Sequence, residues 1–516
     1  MIPEGDKANQ IVEKTPWWVI SSFLHLALLM VGGLFFGIQA IAEEDEVVVV
    51  SPSRKKITLP DLDRPKIEQI SKKLIEHSKE EEIPIIKDAI DSDHPESVDD
   101  DTVHQMQGDS LDYNSDNPFQ ANSAGDLIGG GATGGGRFGY PRGGSQELTV
   151  KGGGDNETEE AVLSALRWLA RHQSLDGSWK VTGYHEECNQ VAKYATGPRC
   201  VDTPGDASHD TGVTGLSLLA FLGAGFSYQS RERYDGIDFG NVVKKGLQWL
   251  ISQQDPDGLV GGRVGERWMY NHLIATLALT EAYGRTGGGF LIQNAAEKAL
   301  AYTVQAKNPG AAWRYTYRPG DNDSSITGWG AMVLKSAVMG KLGSPVDGVS
   351  ENVLDWFDEV TSRKGYYDVG YTYADSGKTF EPGRNERFQH HPSMAAVASM
   401  SRMFLEKDRR SPAVVGGCNL LVRDLPEWEK DKIDYYYWYY GSLALFQYGG
   451  AHWDKWNAAM KEALLPHQKG VDSGCQSGSW DPVGRWSHAG TRVYSTAINA
   501  LTLEVYYRYP NVFTGR

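Results

Sequence analysis

The sequence contains few cysteines, no excess of positive charge and few long hydrophobic runs. These shortages exclude several classes of protein. Only 4 of its 516 residues are cysteine, which excludes a small disulfide-stabilised scaffold. The formal net charge is −16, so no basic surface for nucleic acid is expected. Hydrophobic residues still make up 40% of the chain, which is enough for a sizeable core and excludes disorder throughout.

One long hydrophobic run stands near the N-terminus. Residues 17–42 contain His25 as their single ionisable side chain, and as a helix they are long enough to cross a bilayer. Trp17 and Trp18 stand where aromatic side chains anchor a span at the membrane interface. We therefore expect a short tail at 1–16 and an uncleaved transmembrane anchor at 17–42, with a cleaved signal peptide as the alternative.

The cysteines, more than the charges, indicate on which side of the membrane the C-terminal body lies. Lysine or arginine flanks both ends of the hydrophobic run, so the positive-inside rule does not decide the orientation. Cys188 and Cys200 stand twelve residues apart in a loop-like stretch, which suits a disulfide in an oxidising compartment. We expect a single-pass protein of the cytoplasmic (inner) membrane with its C-terminal body in the periplasm.

The segment between the anchor and the body is polar and rich in glycine. Residues 43–117 hold 21 acidic and 9 basic side chains and so account for most of the net negative charge. Twelve of the 59 glycines lie between residues 129 and 154. No Gly-Lys-Ser/Thr accompanies them, which excludes a phosphate-binding P-loop. The composition predicts a flexible, largely disordered tether over residues 43–156.

Internal repetition is the strongest pattern in the C-terminal body. One element is a helix that ends in a Gln-x-x-x-Gly turn: Gln173, Gly177 and Trp179 form the first copy, residues 245–258 the second, and 476–480 close a last one. Helices rich in small residues follow, near Thr211, Asn271, Ser324, His391, Tyr440 and Val493. Six such pairs predict an all-α fold over residues 157–516, an (α/α)6 toroid of six helical hairpins with the small-residue helices inside.

The Gln-x-x-x-Gly-x-Trp pattern resembles the QW repeat of squalene cyclases and of the β-subunits of protein prenyltransferases. The likeness covers about residues 157–510 and implies an α/α toroid. It implies no particular reaction, because toroids carry cyclases, transferases, polysaccharide-degrading enzymes and binding domains. The order of anchor, acidic tether, Gly-rich stretch and QW toroid also resembles uncharacterised membrane-anchored proteins of planctomycete-type bacteria, and this likeness implies an architecture only.

A second resemblance lies inside the hydrophobic run. Ser21 and His25 are four residues apart and so share one face of a helix. An ionisable side chain within a membrane usually has a function or a buried partner. The pair is similar to the Ser-x-x-x-His of TonB-type anchors, which implies docking on an ExbB–ExbD-like proton-driven motor. The alternative is a histidine tolerated near the membrane interface, close to Trp18.

One acidic motif suggests a catalytic acid. Squalene-hopene-type cyclases protonate their substrate with Asp-x-Asp-Asp, and the run 321–324 lies at a comparable place, so the resemblance implies Asp323 as the candidate acid. The last aspartate of the motif is replaced by Ser324. Asp323 also parallels Asp210 in the first hairpin, and a recurring Asp before Ser or Thr at a helix start is typical of an N-cap. We therefore expect Asp323 to cap a helix.

The resemblance to prenyltransferases, which bind zinc through Asp, Cys and His, points to Asp472, Cys475 and His488 as weak metal candidates. Their spacing departs from the family's Asp-x-Cys pattern, so we expect neither a metal nor another cofactor. An alternative for Cys475 is a disulfide with Cys418. The disulfide candidates are therefore Cys188, Cys200, Cys418 and Cys475.

Further candidate residues lie at or near the starts of the small-residue helices, whose N-terminal dipoles would form a rim favourable to anions. Aromatic residues of the run 434–440 would stack on sugar rings or, alternatively, pack within the ring of helices. The alternative for His390 is a place at a capped helix start ahead of Pro392. The candidates for a cavity site are Asp210, His272, Asp323, His390, Trp438, Tyr440, His488 and Arg492.

The expected function is that of a membrane-anchored, extracytoplasmic binding or interaction protein. It would take an envelope glycan or lipid and couple to an ExbB–ExbD-like motor. One alternative is an enzyme acting in the toroid cavity, either a polysaccharide lyase or hydrolase or a terpenoid-cyclase-like enzyme. The other is a structural spacer of the envelope. A complete acid motif or a metal would favour the enzyme, and a cavity filled by aromatic side chains would favour the binding module.

Overall fold

The computed structural model describes residues 152–189, 191–195, 199–286, 289–342, 348–362, 368–370 and 392–509. The predicted tail at 1–16, the predicted anchor at 17–42 and nearly all of the predicted tether lie outside these residues. Among the described residues, no helix is both long and apolar enough to cross a membrane. The end of the predicted tether belongs to the body, since the indole N–H of Trp453 donates to the Gly152 carbonyl at 2.7 Å.

The described residues form thirteen α-helices joined by turns and short 3-10 segments. They are α1 (Asn156–Arg171), α2 (Asp210–Gly223), α3 (Phe239–Ser252), α4 (Met269–Thr286), α5 (Phe290–Ala306), α6 (Ser324–Met339), α7 (Val349–Glu359), α8 (Ser393–Leu405), α9 (Pro412–Leu421), α10 (Tyr435–Tyr448), α11 (Gly450–Leu464), α12 (Ser487–Leu503) and α13 (Val505–Arg508). A small antiparallel hairpin of β1 (Arg233–Tyr234) and β2 (Ile237–Asp238) precedes α3.

Six helices form a closed inner ring. Taken in chain order, α2, α4, α6, α8, α10 and α12 each pack against the next, and α12 returns to pack against α2. The other long helices lie outside: α3 packs on α2, α5 on α4, α9 on α8, α11 on α10 and α1 on α12, while α7 touches both α6 and α8. This arrangement confirms the prediction of an all-α toroid.

Burial separates the two kinds of helix as the sequence pattern predicts. In the inner helix α2, 13 of 14 residues are buried, whereas in the outer helix α3 only 7 of 14 are buried, as expected of a helix with one apolar face. Small residues let the inner helices approach closely. A Cβ atom at Gly215 would stand 3.0 Å from the backbone nitrogen of Ala275 in α4.

In three of the turns, a tryptophan joins an outer helix to the inner helix that follows. The indole N–H of Trp179 donates to the Leu169 carbonyl near the end of α1 (2.8 Å), and its backbone N–H donates to the Thr214 hydroxyl in α2 (2.9 Å). The Leu169 carbonyl lies in the last turn of α1, where carbonyls are incompletely paired within the helix, and it also accepts from the backbone N–H of His172 at 3.1 Å. Two further turns repeat both bonds: Trp313 with Thr303 and Thr327, and Trp480 with Leu464 and Thr496.

The glutamine of the turn reaches the next outer helix. The Nε2 atom of Gln173 donates to the carbonyl of Gly177 in its own turn and to that of Val242 in α3, both at 2.9 Å. Gln254 bonds in the same way to its own turn (3.2 Å) and to Ala295 in α5 (2.9 Å). Each turn therefore fastens two outer helices to each other.

In the last turn, Gln468 takes this role in place of Gln476, which the sequence pattern suggested. Gln468 donates to the Gly478 carbonyl at 2.8 Å and to the Ala161 carbonyl in α1 at 2.7 Å. Gln476 donates instead to the Arg199 carbonyl at 2.9 Å. The extra residues between Gln468 and Gly478 obscure the repeat in the sequence, but the bond to α1 closes the outer ring.

Side chains occupy the middle of the ring. Trp329 of α6 stacks against Tyr439 of α10 with ring centroids 5.9 Å apart, although α8 lies between these two helices in the ring. The buried Arg508 joins Glu281 of α4 at 3.0 Å and the Tyr439 hydroxyl at 3.2 Å. Contacts between helices that are not neighbours in the ring must pass through its centre, so aromatic and charged groups fill this part of it.

Replacing Gly258 by alanine tests the contact between a turn and the next outer helix. Gly258 has φ +100°, and a Cβ atom there would overlap the carbonyl oxygen of Lys298 in α5. Gly310, in a degenerate copy of the turn, has φ +66° and open space around a Cβ position. We expect Gly258→Ala to lower the free energy of unfolding in urea by about 3 kcal/mol and Gly310→Ala by about 1 kcal/mol. Equal losses would contradict the importance of this contact.

Candidate active site

The N-terminal ends of the inner helices share one rim of the ring. Each inner helix alternates with an outer helix along the chain, so the six inner helices run in the same direction. Three of them start at an aspartate: Asp210 begins α2, and Asp323 and Asp434 directly precede α6 and α10. The three carboxyl groups have different hydrogen-bond partners. These partners show which aspartates cap a helix and which one does not.

Two of these aspartates cap their helices. Asp434 accepts a hydrogen bond from the backbone N–H of Tyr437 at 3.0 Å. Asp323 accepts from the backbone N–H of Ser325 at 2.9 Å, and its other oxygen accepts from the Tyr315 hydroxyl at 2.9 Å. Asp323 is 1% exposed, and this burial raises its pKa. Asp323 is thus an N-cap, as predicted, and its carboxyl group lies beneath the surface of the rim.

Asp210 differs because it does not cap its helix. The N-cap position of α2 belongs to His209, whose side chain makes no capping bond. One oxygen of Asp210 accepts instead from the backbone N–H of Val181 at 2.8 Å. The Asp210 side chain is half-buried, and burial raises its pKa. The carboxyl group of Asp210 therefore binds a proton more tightly than an exposed aspartate does, at a position that is still partly open to solvent.

A second carboxyl group lies four residues earlier on the same turn. Asp206 is exposed and accepts from the backbone N–H of Ser208 at 2.9 Å. This hydrogen bonding lowers the pKa of Asp206, because it favours the ionised form. The pKa values of two carboxyl groups on one turn are thus shifted in opposite directions, as in pairs that serve acid–base catalysis. Asp206 is not among the residues predicted from the sequence, although it lies only four residues from the predicted Asp210.

Basic and amide side chains surround this turn. The Nε2 atom of His209 lies 4.0 Å from a carboxylate oxygen of Asp206, and the charges of His488 and Arg267 also act on His209. Burial lowers the pKa of His209. Asn271 in α4 donates to a backbone carbonyl of the turn at 2.6 Å. His488 therefore lies at the rim, as expected, and the first turn of α4 holds the carboxyl-bearing turn in place.

Three half-buried tyrosines form a ledge beside Asn271. This tyrosine ledge consists of Tyr270, Tyr315 and Tyr436. The rings of Tyr270 and Tyr315 stack with their centroids 5.9 Å apart. The hydroxyl of Tyr270 is 2.5 Å from the Ser325 hydroxyl, and the hydroxyl of Tyr436 donates to the Ser325 carbonyl at 3.0 Å. Hydrogen bonds thus hold the ledge at the start of α6, with aromatic faces and polar edges, and Tyr270 directly precedes Asn271, which contacts the carboxyl-bearing turn.

His272 and Arg492, two candidates from the sequence, have structural partners. The fully buried His272 accepts from the backbone N–H of Val260 at 3.1 Å and lies 3.0 Å from the Thr303 hydroxyl. Burial lowers the pKa of His272 to about 3, so it is neutral at physiological pH. Arg492 is buried in ion pairs with two aspartates at 2.8 Å. Both side chains hold neighbouring segments together and neither opens onto the rim.

The aromatic candidates also serve packing. Tyr440 is fully buried, with its ring centroid 5.6 Å from that of Trp329. Trp438 is 1% exposed and packs against Tyr435 at 5.6 Å. The alternative interpretation, packing within the ring, therefore describes both. Ser21, His25 and His390 lie outside the described residues.

The cysteines do not form the expected disulfides. All four are free thiols. Cys418 is buried in α9, whereas Cys188, Cys200 and Cys475 lie together around His172. Neither of the predicted disulfides, Cys418–Cys475 and Cys188–Cys200, is therefore formed. Within the part of the chain that the structure describes, Asp472 and His488 belong to no group of side chains close enough to share a metal ion.

Comparison with known proteins gives similarity of fold alone. No protein-family model matches the chain, and no curated protein matches it. Among solved structures, an α-amylase from Clostridium perfringens is 11% identical, with a TM-score of 0.43 over 67% of this chain and 98% of its own. An inactive variant of an α-1,6-mannanase from Salegentibacter, in complex with mannotriose, is 10% identical, with a TM-score of 0.45 and the same coverages.

A third solved structure is a variant of Rex8A from Paenibacillus barcinonensis in complex with an arabinofuranosyl-xylotetraose. It is 11% identical, with a TM-score of 0.37 over 59% of this chain and 83% of its own. These similarities agree with an α/α toroid and support neither a squalene cyclase nor the planctomycete-type group. Enzymes that act on glycans are among the similar structures, which contradicts the prediction of a non-enzymatic binding protein coupled to a motor. That prediction was wrong, and the enzyme alternative agrees better.

Substitution of Asp323 separates capping from catalysis. Asp323→Ala removes the N-cap and leaves the Tyr315 hydroxyl without its acceptor, so we expect a loss of about 2 kcal/mol in the free energy of unfolding. Asp323→Asn retains a capping oxygen, so its loss should stay below about 0.5 kcal/mol. Urea denaturation of the full chain measures both. A loss of the same size in the two variants would contradict a capping role.

The raised pKa of Asp323 also predicts a pH dependence of stability. Because burial raises this pKa above the ordinary value of 3.8, the folded state binds the proton more tightly than the unfolded state does. Stability from this group therefore increases as the pH falls from the folded pKa to 3.8. We expect the wild type to gain stability relative to Asp323→Asn on acidification, and the difference to level off below about pH 3.8. A pH-independent difference would contradict the shift.

Proposed function

We propose that the protein is a carbohydrate-active enzyme that hydrolyses a glycan at the rim of the toroid. The observation that carries the proposal is the turn before α2. There, the pKa of the half-buried Asp210 is raised by burial and the pKa of the exposed Asp206, four residues earlier, is lowered by its hydrogen bonds to Ser208. Asp210 is the one of three rim aspartates at helix starts whose side chain is not used to cap its own helix. Its carboxyl group is therefore available for chemistry.

Hydrolysis of a glycosidic bond needs a carboxylic acid and a carboxylate on one site. Asp210 is the acid that protonates the leaving oxygen, because its partly buried carboxyl group holds a proton more tightly than an exposed one would. Asp206 supplies the carboxylate, which acts on water or on the anomeric carbon. Since hydrogen bonds from Ser208 hold Asp206 ionised, the two roles are not interchangeable.

The rim also provides surfaces suited to sugars. Half-buried tyrosine rings offer apolar faces for the C–H groups of a sugar ring, and Arg267 and His209 offer hydrogen-bonding groups for its hydroxyls. Because side chains fill the middle of the ring, a substrate would lie across the rim and not thread through the toroid. An open rim accepts a polymer as readily as a short oligosaccharide. This supports a polysaccharide as the substrate.

The proposed location is the periplasmic face of the cytoplasmic membrane. The hydrophobic run at 17–42 supports a membrane anchor. Such a position would bring the toroid to the glycans of the cell envelope.

Release of reducing ends from a panel of purified polysaccharides, with the full chain, tests the proposal. We expect Asp210→Asn and Asp206→Asn each to lower kcat/KM at least 100-fold with an unchanged melting temperature. Asp434→Asn is the matched control: it changes a rim aspartate that caps its helix, Asn retains the cap, and activity should stay near that of the wild type. Full activity in both Asp206 and Asp210 variants would overturn the assignment.

The pH profile of kcat/KM provides an independent check. Activity requires a protonated Asp210, so it should fall as the pH rises through the raised pKa of that residue. It also requires an ionised Asp206, so it should fall on acidification below the ordinary aspartate value of 3.8, because the pKa of Asp206 is lowered. A bell-shaped profile with an acidic optimum is expected. A profile that rises steadily into the alkaline range would contradict these roles.

A further inference from the structure

Four buried side chains from distant parts of the chain converge on one point. They are His172 directly after α1, Cys188 and Cys200 in the loop between α1 and α2, and Cys475 in the turn before α12. We call this group the seam cluster. The sulfur atoms lie 3.1 Å (Cys475), 3.5 Å (Cys200) and 3.7 Å (Cys188) from Nε2 of His172. All four potential ligand atoms lie within 4.8 Å of one another.

Hydrogen bonding within the protein does not account for this geometry. The Nδ1 atom of His172 lies 2.8 Å from the Trp168 carbonyl, which accepts only if Nδ1 carries the proton. In the neutral ring, Nε2 then has a single lone pair. One lone pair cannot accept from three thiols at once, so at least two of them would be buried next to each other without a good acceptor. Disulfide formation does not explain them either, because three sulfur atoms cannot all pair.

We propose that the seam cluster binds one Zn²⁺ ion through three thiolates and one imidazole. With Zn–S bonds of about 2.3 Å and a Zn–N bond of about 2.0 Å at tetrahedral angles, each sulfur would lie about 3.5 Å from the nitrogen. The three observed distances, 3.1, 3.5 and 3.7 Å, span this value. A Cys3His set matches structural zinc sites, in which protein atoms fill all four positions. Soft sulfur ligands in a tetrahedral arrangement disfavour Mg²⁺ and Ca²⁺.

The surroundings complete the site. The bond from Nδ1 to the Trp168 carbonyl orients the imidazole and directs Nε2 towards the sulfur atoms, which is the usual arrangement behind a metal-bound histidine. The ring of His172 also stacks on that of Trp168, with centroids 4.1 Å apart. Three thiolates with Zn²⁺ carry a net charge of −1, and the buried Arg171 lies next to them, donating to the Ser477 carbonyl at 2.8 Å. This guanidinium balances the charge of the site.

The seam cluster lies where the ring closes. His172 follows the first outer helix, and Cys475 belongs to the turn that leads into the last inner helix. The same turn contains Gln468 and Gly478, which contact α1. A zinc ion here would join the first and last hairpins and would also hold the loop that contains Cys188 and Cys200. The role that we assign to it is structural, because no ligand position is left open for a substrate.

Metal analysis of the purified full-length protein tests the site. We expect about one zinc per chain by plasma mass spectrometry, and less than a tenth of that in Cys475→Ser. The matched control is Cys418→Ser, which changes a buried cysteine outside the seam cluster and should retain the full zinc content. Iron in place of zinc, a metal-free protein, or equal zinc loss in the two variants would overturn the proposal.

A second experiment uses the wild-type chain, so its result does not depend on whether a cysteine variant folds correctly. Removal of the metal with a strong chelator should lower the melting temperature by about 5 °C or more and make three further thiols reactive. Added Zn²⁺ should restore both properties, and Mg²⁺ should restore neither. Replacement by Co²⁺ should give the visible absorption typical of a tetrahedral thiolate site. A disulfide between Cys188 and Cys200 or Cys475, found by mass spectrometry of a non-reduced digest, would overturn the assignment.

Discussion

Closure of the ring is the constraint on which the rest of the structure depends. A row of helical hairpins leaves an apolar edge at each end unless its last member packs against its first. Here α12 packs against both α2 and α1, and the last turn contacts α1 through the bond from Gln468 to Ala161. The turns at Gln173 and Gln254 make the same kind of link between consecutive outer helices. The junction between the first and last hairpins therefore uses the ordinary contacts of the repeat.

A closed ring of six helices leaves little space at its centre. The inner helices are buried almost all round, and their central space contains Trp329, Tyr439 and the ion pair of Arg508 with Glu281. This buried pair is satisfied in part by tyrosine hydroxyls, which offsets the cost of removing the charges from water. Because the middle is occupied, the reaction that we propose is placed at the rim, where helix N-termini, tyrosines and carboxyl groups meet water.

Repetition allows one position to serve different purposes. Asp323 and Asp434 use their carboxyl groups to cap α6 and α10. Asp210 occupies a similar place, but the preceding 3-10 turn shifts it into the helix, and its carboxyl group bonds to Val181 instead. Within the first hairpin, the residues that we assign a stabilising role lie around His172, and they are different residues from those at the rim. The structural roles and the chemical role that we propose therefore fall on different residues of one repeat.

The sequence by itself determined the all-α toroid, because the Gln-x-x-x-Gly turn and the small-residue helices are local patterns that recur. It also indicated that Asp323 is an N-cap, since capping depends on residues within one turn. Only the tertiary structure decided that Gln468 replaces Gln476, that His272, Tyr440 and Arg492 are packing residues, and that three cysteines surround His172. These facts depend on contacts between residues up to about 300 positions apart, such as His172 and Cys475, and no local pattern records which segments closure of the ring brings together.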